Sequence, residues 1–74
     1  MNGLALGATA RVMEVLDRET HHRTIAELAR SAQVSRQTVR KLIRQLEAEE
    51  KLDVSRRAWP NGYLLKPEAR HDPG

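Results

Sequence analysis

Hydrophobic residues recur at helical spacing in the first half of this chain. The first apolar stripe lies between about residues 9 and 19 and comprises Val12, Met13, Val15 and Leu16. A polar connection over 20–23 leads to Thr24, which with Glu27 three residues later predicts a capping box at the start of a second helix. The apolar face of that short helix comprises Ile25, Leu28, Ala29 and Ala32.

A third helix is predicted from Arg36 to about Glu49, directly after a brief turn at 33–34. Ser35 is placed to be its N-cap. Its apolar positions follow the i, i+3, i+4, i+7 spacing and are Val39, Leu42, Ile43 and Leu46. The opposite face carries no acidic residue and comprises Arg36, Gln37, Arg40, Lys41 and Arg44. The third helix therefore has one face for a core and one almost wholly cationic face.

The periodicity changes after the third helix. Residues 52–55 alternate between apolar and polar side chains, which is typical of a half-buried strand. Tyr63 to Leu65 form a second short apolar run, which predicts the other strand. Trp59-Pro60 and Asn61-Gly62 between them are typical of a hairpin turn. The expected fold is α+β, with three helices followed by a two-stranded hairpin over 9–66. Residues 1–8 would be an N-terminal arm, and the polar segment 67–74 a disordered tail.

Charge adds a direction to the third helix. The chain has 74 residues, which is enough for one small domain. Its net charge is +3. Its basic residues cluster over 36–44, and acidic residues follow at Glu47, Glu49, Glu50 and Asp53. A basic block beside an acidic one indicates that the N-terminal part of the helix meets an anion and that its C-terminal end points away.

These features together predict a helix-turn-helix that binds duplex DNA. A helix fits the major groove, where Arg pairs with guanine and Gln with adenine. Ser35 could donate to a phosphate as well as cap the helix, and Arg56 and Arg57 are placed for backbone phosphates. The predicted DNA-binding residues are Ser35, Arg36, Gln37, Arg40, Lys41, Arg44, Arg56 and Arg57.

Segments 24–29, 34–46 and 61–65 resemble the winged helix-turn-helix domains of bacterial regulators. Ser-Arg-x-Thr-Val at 35–39 and Gly-Tyr-x-Leu at 62–65 are most similar to the DNA-binding domain of biotin-operon repressors. The small stand-alone pilus-operon regulators are a second likeness. The resemblance covers about 12–66. It implies that the third helix is the recognition helix and that the hairpin is a wing touching the DNA backbone or minor groove.

Two departures from that family bear on the prediction. Family members usually have Gly where this chain has Glu50, and Gly eases a left-handed corner. The ligase domain that dimerises the biotin repressors is absent from these residues. A homodimer would therefore need another surface, for which the arm over 4–10 is the candidate.

Trp59 leaves two interpretations open. It could contact DNA or a partner from the wing, since winged domains that bind left-handed duplexes also carry Pro and Trp there. It could equally fold back onto a small core that contains no Phe. Tyr63 is expected to pack within the wing.

Other chemistries find little support in the sequence. Ser, His and acidic residues show no spacing of a catalytic triad, and there is no Gly-rich phosphate loop. His21, His22 and His71 lack metal-ligand spacing, and the chain has no Cys. We therefore expect no enzyme activity, metal or cofactor. No apolar run could span a membrane, so a cytoplasmic protein is expected.

The leading hypothesis is a small regulator of transcription that binds double-stranded DNA as a homodimer or beside a partner protein. One alternative is a protein-interaction module within a larger assembly. Others are a phage or plasmid factor for DNA architecture, excision, partition or replication control, and a domain for structured RNA or left-handed duplex. The acid-free face of the third helix favours DNA over a protein partner, unless that partner is acidic.

Overall fold

Three α-helices precede an antiparallel hairpin in the computed structural model, which describes residues 7–70. The elements are α1 (Gly7–Arg18), α2 (Ile25–Ala32), α3 (Arg36–Ala48), β1 (Leu52–Ser55), β2 (Gly62–Leu65) and a 3₁₀ turn (Pro67–Ala69). The expected α+β layout of three helices followed by a two-stranded hairpin is confirmed.

Side-chain caps fix where α2 and α3 begin. The Thr24 hydroxyl accepts a hydrogen bond from the Glu27 N–H at 3.1 Å, and the Glu27 carboxylate accepts one from the Thr24 N–H at 2.9 Å. The capping box predicted from the sequence is therefore present. The Ser35 hydroxyl accepts from the Thr38 N–H at 3.2 Å and caps α3 in the same way.

The turn between α2 and α3 is closed by backbone bonds and by one side chain of α1. Gln33 takes the left-handed conformation (φ 59°). The Val34 N–H then donates to the Ala29 carbonyl at 3.0 Å, as in a Schellman motif. The Arg11 guanidinium donates to the Ala32 carbonyl at 3.1 Å. It thereby pairs one of the carbonyl groups that the C-terminal end of α2 leaves without a partner inside the helix. These bonds fix the direction in which α3 leaves the turn.

The corner after α3 is equally sharp although it carries no glycine. Glu50 has φ 57°, and the Lys51 N–H donates to the Leu46 carbonyl at 2.9 Å. The Glu50 N–H donates to the Glu47 carbonyl at 3.0 Å, which completes a second Schellman motif. Glu50 thus adopts the left-handed conformation that Gly usually takes after the last residue of a helix.

The apolar stripes of the three helices meet in one core, closed below by the hairpin. Leu52 and Leu65 face each other across the sheet and are both buried. The remaining buried residues are Val12, Val15, Leu16, Leu28, Ala29, Ala32, Val39, Leu42, Ile43 and Leu46. All of the buried residues are hydrophobic. Within residues 7–70 the core therefore avoids the free-energy cost of burying a polar side chain without a hydrogen-bond partner.

A single β-bridge pairs the connection between α1 and α2 with the hairpin. The Arg23 N–H donates to the Tyr63 carbonyl at 2.9 Å, and the Tyr63 N–H donates to the Arg23 carbonyl at 2.7 Å. The connection over 20–23, expected to be only a polar loop, therefore joins the sheet. A single paired residue has no alternation of its own, so no sequence pattern marks it.

Both ends of the fold differ from the sequence-based expectation. Helix α1 begins at Gly7 and ends at Arg18, so residues 7 and 8 of the expected arm are helical. The rest of the arm lies outside the described residues. The tail expected to be disordered from Pro67 instead begins with the 3₁₀ turn. Ala69 packs against the core, and the Arg70 guanidinium lies 3.4 Å from both the Leu65 and the Asp17 carbonyl oxygens. The folded part therefore extends to Arg70, and residues 71–74 lie outside the described part.

Candidate nucleic-acid interface

The outer face of α3 presents five long polar side chains to solvent. They are Arg36, Gln37, Arg40, Lys41 and Arg44, and all are exposed. Because the apolar stripe of the same helix is buried in the core, this face points outward as the periodicity predicts. The ion pairs of residues 7–70 involve none of these side chains and lie at His22–Asp53, Arg23–Glu19 and Lys51–Glu49. The cationic charge of α3 is therefore not neutralised within the described structure.

Ser35 lies at the N-terminal end of this face and is exposed. Its hydroxyl accepts from the Thr38 N–H and lies 3.0 Å from the Thr38 hydroxyl. The helix-capping role predicted for Ser35 is thus present, and a contact with phosphate stays a prediction.

The acidic residues after the basic stripe are grouped at the C-terminal end of α3. Glu49 pairs with the Lys51 ammonium at 3.0 Å. This hydrogen bond from Lys51 lowers the pKa of Glu49, with a smaller contribution from Gln45. Charge along α3 therefore changes from positive to negative, as the sequence indicates, and an approaching polyanion would meet the N-terminal turns first.

The hairpin loop, residues 56–61, carries three of the predicted contact residues. Arg56, Arg57 and Trp59 are all exposed, and the Trp59 side chain is 87% accessible to solvent. The interpretation in which Trp59 covers the core is therefore wrong. Leu52 and Leu65, with the half-buried Val54 and Tyr63, already close the core at the base of the hairpin. Tyr63 packs there as expected.

Arg56 and Arg57 border a different depression from Trp59. They line a shallow depression with His22 and Asp53, whose side chains are 2.7 Å apart (Nε2 to Oδ2). Trp59 instead lines a groove between the hairpin loop and α3. The loop thus has two sides, and only the Trp59 side adjoins the basic stripe.

This groove, of about 240 Å³, is where residues from α3 and the hairpin loop meet. Arg36 and Arg40 line it from α3, and Trp59 and Pro60 from the loop. The other lining residues, which the sequence reasoning did not select, are Ile25, Ala26, Asn61 and Tyr63. The spacing predicts Ile25 only as part of the core face of α2, and nothing in it indicates that Ile25 also borders a groove.

A second depression continues the groove along α3. It is lined by Arg44 and Glu47 and shares Ile25, Arg40 and Tyr63 with the first. We call the two together the α3–hairpin trough. Trp59 lies at one end and Glu47 at the other, so the trough follows the change of charge along α3.

Two negative findings apply to residues 7–70. No helix there is both long and apolar enough to cross a membrane. That part of the chain also contains no group of three or more His, Asp or Glu side chains that could hold a metal ion.

Comparison with protein-family models, curated proteins and solved structures finds no match to this chain.

Proposed function

We propose that this protein is a small regulator that inserts α3 into the major groove of duplex DNA and thereby controls transcription. The observation that carries the proposal is the outer face of α3, where five exposed polar side chains have no acidic partner in the described structure. A cationic helix face is the electrostatic requirement for binding a polyanion.

The geometry of α3 supports a division of labour along the helix. Its Val39 face holds it on the core, so Arg36, Gln37 and Arg40 are free to meet base edges from the N-terminal turns. Lys41 and Arg44 would neutralise phosphates and release counterions. The acidic C-terminal turn would be repelled by phosphate and so point out of the groove.

The hairpin supplies a second contact. Arg56 and Arg57 are exposed on the loop and would bind backbone phosphates, while Trp59 would act as the wing contact beside α3. A single module of this kind buries only about 600–1,000 Å² on DNA. Specific binding would therefore use a homodimer or a partner protein on adjacent DNA, in the cytoplasm.

One observation favours a second candidate function. An exposed tryptophan is typical of protein–protein interfaces, where aromatic residues are enriched. The interaction module is therefore the alternative, and it would need an acidic partner to match Arg36 and Arg40.

The test is titration of a fluorescently labelled duplex with the full chain at several salt concentrations, read by anisotropy. Affinity should fall with salt, and Arg40→Ala should weaken binding by about 1–3 kcal/mol, because a guanidinium placed for base edges is lost. Arg18→Ala is the matched control, because it removes the same charge from an exposed position on α1.

Two results would contradict the proposal. Absence of binding at low salt would exclude duplex DNA as the ligand. Equal losses from Arg40→Ala and Arg18→Ala would show that net charge, and not the α3 face, is responsible.

A further inference from the structure

We propose that the α3–hairpin trough accepts a single unstacked nucleotide of a DNA strand, with its base against the indole of Trp59 and its phosphate at Arg36 and Arg40. The inference rests on the proposed function and adds the kind of DNA that binds most tightly: a duplex that contains an unpaired nucleotide. At such a nucleotide Arg36 and Arg40 hold its phosphate, whereas in fully paired DNA they meet base edges.

The walls of the trough near Trp59 combine apolar surface with positive charge. Ile25, Ala26 and Pro60 supply apolar surface at the Trp59 end, and the two guanidinium groups stand on the α3 side. No acidic side chain among the described residues lines that end of the trough. A ligand that satisfies both features combines a flat apolar face with an attached anion, and a nucleotide does so.

A fully paired duplex matches only part of this surface. Its bases are stacked inside the helix and expose only their edges in the grooves, and the rest of its surface consists of sugar and phosphate. Phosphate would satisfy Arg36 and Arg40 but would leave the apolar walls and the indole without an apolar partner. An unpaired base can leave the stack at moderate cost and satisfy these walls.

The size of the groove and the exposure of Trp59 also suit one base. Pockets for whole drug-sized ligands measure about 300–1,000 Å³, so a groove of about 240 Å³ suits one ring system better than a larger ligand. The 87% exposed Trp59 side chain has a face free for stacking. Aromatic side chains that stack on bases are the usual way in which proteins hold unpaired nucleotides.

The depression on the other side of the hairpin loop provides a contrast. It also contains two arginines, Arg56 and Arg57, but it includes the Asp53 carboxylate, and its one aromatic ring, the His22 imidazole, is held by that carboxylate at 2.7 Å. Phosphate alone suits that side, and a base does not.

The experiment uses the full chain and three duplexes of equal length: one fully paired, one with a single bulged thymine, and one with an abasic site in place of that thymine. Because Trp59 is the only tryptophan, quenching of its fluorescence reports the trough directly, and anisotropy of the labelled DNA gives the affinity. The bulged duplex should bind about tenfold more tightly than the paired duplex and quench Trp59, whereas the abasic duplex should do neither.

Variants separate stacking from charge. Trp59→Ala should bring the ratio of bulged to paired affinity close to one, and Trp59→Phe should retain part of the preference because a ring remains. Arg18→Ala should keep the full preference. Since Trp59 is exposed, circular dichroism should show the same fold in all variants.

The outcomes distinguish the two proposals. Equal affinity for paired and bulged duplexes, or a preference that survives Trp59→Ala, would overturn the nucleotide site and leave duplex binding intact. Absence of binding to all three duplexes would overturn the proposed function and this inference together.

Discussion

Arg23 and Tyr63 exchange two backbone hydrogen bonds, of 2.9 and 2.7 Å, and so attach the connection between α1 and α2 to the second strand of the hairpin. Tyr63 also lines the α3–hairpin trough. The bridge therefore holds the hairpin at a fixed position relative to the helices. The position of Trp59 beside α3 depends on this bridge, although Arg23 is distant from Trp59 in the sequence.

Gly62→Ala should destabilise the protein, because Gly62 lies against this connection. A β-carbon at position 62 would stand 2.9 Å from the β-carbon of His22, which is closer than real side chains come. Overpacking of this kind costs about 1–3 kcal/mol. Urea unfolding followed by circular dichroism measures the loss.

A double-mutant cycle provides the control for Gly62. His22→Gly removes the contacting carbon, so Gly62→Ala should cost clearly less in that background. The same cost in both backgrounds would show that the close approach is not the reason for glycine at position 62.

Glu50→Gly should stabilise the protein by about 1 kcal/mol. Glu50 holds the left-handed conformation (φ 57°), which costs a residue with a β-carbon about 1–2 kcal/mol and glycine almost nothing. Ala48→Gly, two residues earlier in regular helix, should instead destabilise by up to about 1 kcal/mol. Thermal unfolding of both variants tests the account, and destabilisation by Glu50→Gly would refute it.

Arg11→Met should destabilise by about 1 kcal/mol, because it removes the donor to the Ala32 carbonyl at the end of α2. Arg18→Met is the control on the same helix, since Arg18 is exposed, and it should change stability by no more than about 0.5 kcal/mol. Equal effects of the two substitutions would show that charge or helix propensity, and not the cap, explains the loss.

Acid should weaken the start of α2. The hydrogen bond from the Thr24 backbone N–H lowers the pKa of Glu27 below its ordinary value of 4.5. Ionised Glu27 therefore stabilises the fold at pH values above 4.5, and this contribution is lost as the pH falls through the lower folded-state pKa.

Glu27→Gln isolates that contribution, because the amide can still accept the bond but carries no charge. The wild type should have the higher Tm near neutral pH, and the difference should shrink at about pH 3. A difference that is the same at both pH values would contradict the assignment.

Periodicity and capping signals predicted most of this fold. The buried positions of α3 follow the predicted spacing and are Val39, Leu42, Ile43 and Leu46. Thr24 and Ser35 cap the predicted helices. Both features depend on neighbours within about one helical turn, so the sequence reveals them. The Arg23–Tyr63 bridge joins residues distant in sequence, so no local pattern indicates it. The sequence also does not indicate that Pro67 to Arg70 are folded. Arg70 is held there by the carbonyl groups of Asp17 and Leu65, and no local pattern reveals the contact with Asp17.

The candidate site was predictable only in part. The basic stripe of α3 follows directly from helical spacing, and its residues are exposed together. The position of Trp59 was undecided, because exposure depends on how completely other residues close the core. Trp59 borders one depression, and Arg56 and Arg57 border another. This division depends on the direction in which a six-residue loop turns, and composition does not encode it.

The most direct test of the central claim is selection of bound duplexes from a random pool by the full chain, at low and at near-physiological salt. The account predicts a recovered sequence motif that persists at the higher salt, since α3 reads base edges. Inverted repeats about 10 base pairs apart would identify a symmetric dimer. Recovery of no motif, with binding that disappears as salt rises, would contradict specific readout by α3.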